Sequence, residues 1–582
     1  MQRNVLVRIV SGLVQPAIPS AIVGFARVIE ILIQDLISPV GDNQDLTLFP
    51  QLAQFEMTAD ATLNVYSGDD SLIDYFNPDK CPPVPMVEIP RKLNPLRDDG
   101  IRIYAKLMCC LPATNVKVLP ALNMILRGKE NGQITDSTHT MVEYSSGSTV
   151  ISMGLLANIY GIDKVKAYMT NKTTSAKLDL LRFFGVDLTV FGGHGQPEPL
   201  DPNGGIWQAT LDGKQEGWYN PDQYSNWENY ESHMRWTGPQ VLKQLPKLSV
   251  FAAGIGTSGT MTGTGLYIKQ NKPSVKRIGV CPVNGERVPG PRMYSLLEPV
   301  EFPWRESVDG IEEVPSFESF ELALSLCRNG LLVGPSSGLA LLGLLQYLQK
   351  VKKDGRLDEL RNEDGEIVCA FICPDQPFQY IHEFMDKLGP EYFPKIENSE
   401  LLDVDQYGYN IDWEASVEEI HAMLFDPSWA PPKKTGPGRV QGVAAAVPEL
   451  GAGEDKKNYV VLDLRDEASF EASHIPGLSV NLPVDWVKDK NPYRHPPTMV
   501  EKFTLLDKRL GANDPEFGAS LEGKTVLALS HNGNMGRLAM SVLRNRGVKA
   551  HCIMGGTERW QETGLWGKWD SISNGITSFD DV

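Results

Sequence analysis

The chain is poor in cysteine, and none of its cysteines is placed for paired chemistry. Eight occur in 582 residues, at positions 81, 109, 110, 281, 327, 369, 373 and 552. No two are spaced as Cys-x-x-Cys and none stands with a histidine at ligand spacing. This excludes zinc fingers and dithiol redox motifs, and leaves buried thiols in a reducing compartment as the expectation. No Cys/His pattern near the N-terminus supports heme regulation. Positive charge is also scarce: 55 Lys and Arg face 73 Asp and Glu, a net charge of −18. With no basic run, a nucleic-acid partner is excluded, because phosphate contacts need clustered cations. Residues 9–26 carry no charge, yet Pro16 and Pro19 make a poor membrane span. Low acidity with Arg3, Arg8 and Arg27 resembles a mitochondrial presequence. The regular apolar stretch at 28–37 favours an extension packed on the body instead. The expected compartment is cytoplasmic, with mitochondrial as the alternative.

What is present is a long globular text. Hydrophobic content of 42% and charged content of 22% are ordinary, and the length predicts two or three domains. From about Pro83 to Pro390, short apolar runs (250–253, 277–281, 367–372) alternate with helix-length patterns (152–160, 174–184, 339–351). That alternation predicts βαβ units and a parallel sheet covered on both faces. Within it Lys117 sits in Leu111-Pro112-Ala113-Thr114-Asn115-Val116-Lys117-Val118-Leu119-Pro120. Three small-residue loops follow: Ser145-Ser146-Gly147-Ser148-Thr149, Gly256-Thr257-Ser258-Gly259-Thr260, and Gly334-Pro335-Ser336-Ser337-Gly338. A loop lysine can form a Schiff base with a carbonyl cofactor, and a Gly/Ser/Thr loop opening a helix can cradle a phosphate with backbone N–H groups. Together they predict pyridoxal 5'-phosphate as the cofactor and no metal.

These motifs resemble the cysteine synthase and cystathionine β-synthase group, whose fold is shared with the tryptophan synthase β chain. The lysine motif of that group, roughly NPTGSVKDRPALNMI, reads LPATNVKVLPALNMI here. Its TSGNTG loop appears at 145–150 and its GTGGT loop at 256–260. A family-like Asn220-Pro221, His233 and Thr237-Gly238-Pro239 lie between them. The resemblance implies a two-lobed α/β enzyme in which Lys117 is catalytic, first in a Schiff base and then moving the Cα proton. It implies that Gly256, Thr257, Ser258, Gly259 and Thr260 bind the phosphate, and that Ser336 faces the pyridine nitrogen. A helix cap near Gly338 is the plainer reading of Ser336-Ser337, and both can hold. Ser145, Ser146, Gly147 and Thr149 would take the substrate carboxylate, and Ser148 would stand where the group places an asparagine on the cofactor's phenolic oxygen, with a water bridging the shorter reach. The implied reaction is β-elimination or β-replacement on an amino acid through an aminoacrylate, in a homodimer formed by this domain. Val118, Leu119, Ser148 and Val150 depart from the group's pattern. They predict weak use of O-acetylserine with sulfide and a preference for a bulkier or less polar partner. A divergent deaminase or biosynthetic enzyme of the same fold is the alternative, and a non-catalytic binding protein is the alternative from another class.

The last third resembles a smaller α/β domain, the rhodanese. Leu462-Asp463-Leu464-Arg465-Asp466, His474-Ile475-Pro476-Gly477 and Gly555-Gly556-Thr557-Glu558-Arg559-Trp560 match its signatures in order, and a helix at 415–424 resembles its opening helix. Where that family carries its sulfur-accepting cysteine, this chain has Ser530 in Ser530-His531-Asn532-Gly533-Asn534-Met535-Gly536-Arg537. A serine hydroxyl cannot hold a persulfide or work as a thiolate, so the domain is expected to be silent in sulfur transfer. The expected organisation is an N-terminal extension at 1–79, the cofactor domain at 80–392, a linker at 393–412, the rhodanese-like domain at 413–570 with a flexible insertion at 426–457, and a tail at 571–582.

Overall fold

A computed structural model describes residues 63–145, 147–192, 201–426, 458–484, 493, 495–510, 521 and 523–567. The presequence-like residues, Ser146, the insertion apart from Asp426, and the tail lie outside the described residues. The chain divides into two units, the first ending at Phe393 and the second starting at Pro394.

The first unit is built on ten strands: β1 (Met86–Glu88), β2 (Ile101–Leu107), β3 (Thr140–Tyr144), β4 (Lys164–Thr170), β5 (Asp187–Phe191), β6 (Trp218–Tyr219), β7 (Leu248–Gly254), β8 (Lys276–Pro282), β9 (Gly310–Val314) and β10 (Ile367–Cys373). They form two sheets, ordered β1-β2-β10-β7-β8-β9 and β5-β4-β3-β6. All pairings are parallel except β1 with β2. The sequence dictates this. β10 reads Ile-Val-Cys-Ala-Phe-Ile-Cys with every residue buried, the continuous apolar run of a central strand covered on both faces. β2 places Lys106 in the interior, where its ammonium donates to the Val84 carbonyl (2.9 Å), Gln240 (2.9 Å) and Gln244 (2.6 Å), three acceptors for three N–H bonds.

Helices cover the faces. Val118–Glu130 and Ser148–Ile159 bury Leu122, Met124, Ile125, Met153 and Leu156 in one core, with Met141 of β3 and Phe251 of β7. Pro335–Lys353 buries Leu339, Leu341, Leu344 and Leu348 against the other face of the larger sheet. This helix starts three residues earlier than expected. Gly334 is its N-cap and Pro335 its first residue, a position where a missing N–H costs nothing. Ser336 and Ser337 lie in its first turn and do not cap it. Near the N-terminus, Phe76 of the helix Ser71–Phe76 is buried in the first core, and Asp79 accepts from Arg235 (2.6 Å) and Trp236 (2.9 Å).

The second unit is a parallel sheet of β11 (Glu414–Ala415), β12 (Tyr459–Asp463), β13 (Ser479–Asn481), β14 (Thr525–Leu529) and β15 (Ala550–Ile553), ordered β11-β15-β14-β12-β13. The helix Val417–Phe425 opens with a capping box between Ser416 and Glu419. The stretch expected as a linker carries the 3-10 turns Ser399–Asp403 and Ile411–Trp413. Its Leu401, Val404 and Tyr407 pack on this unit's core.

Candidate active site

Parallel strands gather the loops that leave their carboxyl ends, which is where ligands bind in such sheets. The loops after β2, β3, β7, β8 and β10 line one cavity of about 220 Å³. Lys117, Ser145, Gly147, Ser148, Thr149, Gly256, Thr257, Ser258, Gly259, Thr260 and Ser336 all reach it. Every expected site residue within the described set is therefore brought together.

Lys117 stands at the N-terminus of the helix Val118–Glu130. Its loop is fastened at both ends. The Val116 N–H donates to the Pro374 carbonyl (2.7 Å), just past β10. The Asn115 side chain accepts from the Lys117 N–H (2.9 Å) and the Ser152 hydroxyl (2.9 Å) while donating to the Ala113 carbonyl (2.6 Å). Lys117 Nζ lies 3.5 Å from Thr257 Oγ1. Burial pushes its pKa down to about 8, with Asp375 opposing the fall and Arg292 adding to it.

The loop after β7 turns through Ser258 in the left-handed region (φ 73°), and the 13-residue helix Gly259–Asn271 begins there. Two glycines of this loop have no room for a side chain. A Cβ on Gly256 would sit 2.6 Å from the Gly290 carbonyl oxygen, and one on Gly259 would strike Asn229 Oδ1. The Thr260 hydroxyl is held by His233 Nε2 (3.2 Å), whose Nδ1 faces Thr237 Oγ1 (2.8 Å). Burial, then the charge of Lys117, lowers the His233 pKa to about 3, so this histidine is neutral. Glycines, hydroxyls and helix N–H groups opposite a buried amine are a donor set that fits pyridoxal phosphate.

The loop expected to take the substrate carboxylate follows β3 and opens the helix Ser148–Ile159. The Thr149 hydroxyl donates to Gln223 (2.9 Å), and Gln223 in turn donates to the Tyr144 carbonyl (3.1 Å). Ser148, expected to reach the cofactor's phenolic oxygen through a water, receives the Gln379 amide (3.1 Å) and lies 3.5 Å from Asp375 Oδ2. Asp375 was not anticipated from sequence. Its Oδ2 accepts from Tyr380 (2.6 Å) and Gln379 (3.3 Å), and its buried Oδ1 has no partner. Burial raises its pKa to about 6 against the pull of those hydrogen bonds. The signal was available: Asp375 is the second residue after β10, at the carboxyl end of a central parallel strand. Arg287 and Arg292, in the loop after β8, were missed for the same reason.

In the second unit, the loop between β14 and the helix Asn534–Asn545 folds around Ser530. The Ser530 hydroxyl oxygen accepts from the Gly533 N–H (3.0 Å) and the Gly536 N–H (3.3 Å). Gly533 turns the chain at φ 87°. Arg537 is engaged by Glu414 through two bonds of 2.8 and 3.0 Å. Cys552 on β15 is wholly buried, and that burial raises its thiol pKa far above the ordinary range.

Residues 81–357 match the family model described as pyridoxal-phosphate dependent enzyme, and residues 446–563 match that of the rhodanese-like domain. A cysteine synthase of Staphylococcus aureus (strain Mu50) is 28% identical over 283 residues, 47% of this chain and 89% of that protein. Cysteine synthase B of Pseudomonas aeruginosa is 28% identical over 264 residues, 45% and 82% of the two chains. Among solved structures, an O-acetylserine dependent cystathionine beta-synthase from Helicobacter pylori is 28% identical, with 52% of this chain and 96% of that one covered and a TM-score of 0.43. The first unit thus carries a pyridoxal-phosphate-dependent enzyme domain. That domain is of the cysteine synthase-like group, and a rhodanese-like domain follows it in the chain. Among the described residues no helix is long and apolar enough to cross a membrane.

Proposed function

We propose that the first unit catalyses β-elimination or β-replacement on an amino acid, with Lys117 as the residue that carries the cofactor and then moves the proton at the substrate's Cα. When bound, the cofactor supplies the electron sink for charge developing at that carbon. The 256–260 loop and the helix Gly259–Asn271 hold its phosphate with backbone N–H groups and the positive end of the helix dipole. The 145–149 loop receives the substrate carboxylate. The Lys117 amine, with a pKa near 8, both gives up and takes a proton close to neutral pH. Ser336 offers a neutral hydroxyl where a carboxylate would deepen the sink, which favours expelling a group from Cβ. The Gln379 amide, seated on Ser148, takes the place of the asparagine that the cysteine synthase group carries there.

The observation that supports this reading is the convergence of four loops, spread from Lys117 to Ser336, on one cavity. Borohydride reduction followed by peptide mapping tests it. A pyridoxyl group on Lys117, absent in Lys117→Ala, is the expected result, and labelling of another lysine rejects the assignment. The same reading includes a homodimer formed through this unit, to be checked by sedimentation. It also includes a second unit without sulfurtransferase activity, since Ser530 offers no thiolate.

A further inference from the structure

One wall of the cavity has no role in the reaction as described so far. The loop after β8 brings Arg287 and Arg292 to it. Arg292 is only 7% exposed. Its N–H donates to the Ile255 carbonyl (2.7 Å), which fastens it beside the phosphate loop, and its guanidinium stands 5.5 Å from the centre of the Tyr224 ring. The Tyr224 hydroxyl reaches the carbonyl of Tyr144 (3.4 Å), the residue just before the substrate loop. Arg292 therefore lies between the two loops that hold the cofactor and the amino acid.

Among the described residues, neither buried Arg292 nor exposed Arg287 forms an ion pair, although most other buried cations do. Arg277 is held by Asp309 (2.5 Å), Arg465 by Asp463 (2.6 Å) and Lys177 by Glu383 (2.7 Å). Among the described residues Asp375 is the only carboxylate lining the cavity; Ser148, Gln379 and Tyr380 occupy its Oδ2, and its unpartnered Oδ1 forms no bond with either arginine. A buried guanidinium without a counter-ion is costly, and its planar fork matches a phosphate, sulfate or carboxylate. The cofactor phosphate has the helix N-terminus and the substrate carboxylate has the 145–149 loop, so an anion for Arg292 must come from elsewhere on the substrate.

Resting on the function proposed above, we infer that Arg292, with the more exposed Arg287, binds an oxyanion on the side chain of the amino-acid substrate. The substrate class is then an amino acid with a second negative group, not a neutral O-acyl serine. This differs from the bulkier or less polar partner expected from Val118, Leu119, Ser148 and Val150. Those positions belong to other loops and carry no information about the wall after β8.

The test is titration of the holoprotein with O-phospho-L-serine, L-aspartate and L-serine, read by visible absorbance and tryptophan fluorescence. At least one of the two anionic amino acids should bind ten times or more tighter than L-serine. Which one does so separates a phosphate from a carboxylate. In Arg292→Gln that affinity ratio should fall at least tenfold, and in Arg292→Lys less, since the charge remains and the fork is lost. Arg287→Gln should lower the ratio by a smaller factor. Equal binding of all three amino acids by the unaltered protein overturns the inference without any variant. An unchanged ratio in Arg292→Gln does so too, because it assigns the guanidinium to the α-carboxylate. Loss of pyridoxal phosphate from that variant assigns it to the cofactor and also overturns the inference. These failures leave Lys117 labelled by borohydride, whereas failure of the underlying function does not.

Discussion

If burial depresses the Lys117 pKa, the apoprotein should carry a measurable stability cost that one neutral substitution removes. A lysine in water titrates near 10.4, and here the value is pushed down to about 8. At pH 7 the neutral fraction then rises from roughly one in 2,500 to roughly one in ten, about two hundred times more free amine for carbonyl capture. The same shift opposes folding. The folded amine binds its proton less readily than the unfolded one, so between pH 8 and 10.4 the unfolded chain holds more protons and stability rises with pH. The cost is fully present below pH 8. It is at most about 3 kcal/mol, and nearer 1–2 kcal/mol because the half-buried side chain still meets solvent in the cavity. Lys117→Met keeps the length and removes the charge. Urea denaturation of the cofactor-free protein, followed on the first unit's transition, should show the variant more stable by about 1–3 kcal/mol at pH 7. The advantage should vanish near pH 10.5. Other groups titrate in that range, but they do so in both proteins and cancel in the difference. In parallel, the rate of pyridoxal phosphate capture by the unaltered apoprotein should rise about tenfold per pH unit and level off near pH 8. A capture rate still climbing at pH 10, or a variant less stable at both pH values, would refute a depressed lysine.

Three further outcomes follow from distances in the two units. Gly256→Ala places a Cβ 2.6 Å from the Gly290 carbonyl oxygen, so the 256–260 loop, the proposed phosphate cradle, must shift. The dissociation constant for pyridoxal phosphate, measured by dialysis, should rise at least about tenfold, or about 1.4 kcal/mol. Gln379→Ala removes the amide that reaches both Ser148 and Asp375. The amino-acid KM should increase about tenfold with a smaller change in kcat, a loss of about 1.4 kcal/mol in binding, and an effect on kcat alone contradicts a role in substrate positioning. Ser530→Ala leaves the Gly533 and Gly536 N–H groups buried without their acceptor, which should lower the second unit's stability by about 1–3 kcal/mol in chemical denaturation. An unchanged transition would show that the loop does not depend on this oxygen.

The readable parts of the site are those where the backbone itself does the binding. A loop that must approach an anion needs glycine and small hydroxyl residues, and these stand out in one dimension at 145–149 and 256–260. Lys117 was legible through its neighbours. Residues that act by reaching across the fold leave only their position at a strand's carboxyl end as a trace. Asp375 meets the lysine loop because β10 pairs with β2, which ends at Leu107, and no periodicity announces a pairing over that separation. Gln379 completes Ser148 by the same route. Ser258 hides a different fact. It occupies a φ of 73°, where glycine is the usual residue, at a cost of about 1 kcal/mol. Its hydroxyl accepts from Thr262 (3.1 Å) in the first turn of the helix that follows. The apolar residues Leu401, Val404 and Tyr407 are too few and too irregularly spaced to signal that the expected linker packs on a core.

The same contrast bears on the second unit, where a single oxygen separates structure from chemistry. Ser530 keeps the geometry of an anion-binding loop because its hydroxyl oxygen accepts the two N–H groups the loop must satisfy. A sulfur at that position would occupy the same cradle and could also accept a second sulfur, which an oxygen of ordinary acidity cannot. Cys552 offers no substitute. It is wholly buried, its thiol stays protonated, and a Cβ added to Gly536 would already stand 2.9 Å from its sulfur. A persulfide there would need space that the packed loop does not leave. The fold of this unit is held, on the proposed reading, by its packing and hydrogen bonds without sulfur-transfer chemistry. On the proposed reading, the amine, the phosphate cradle and the two unpaired guanidinium groups needed for group transfer are confined to the cavity of the first unit.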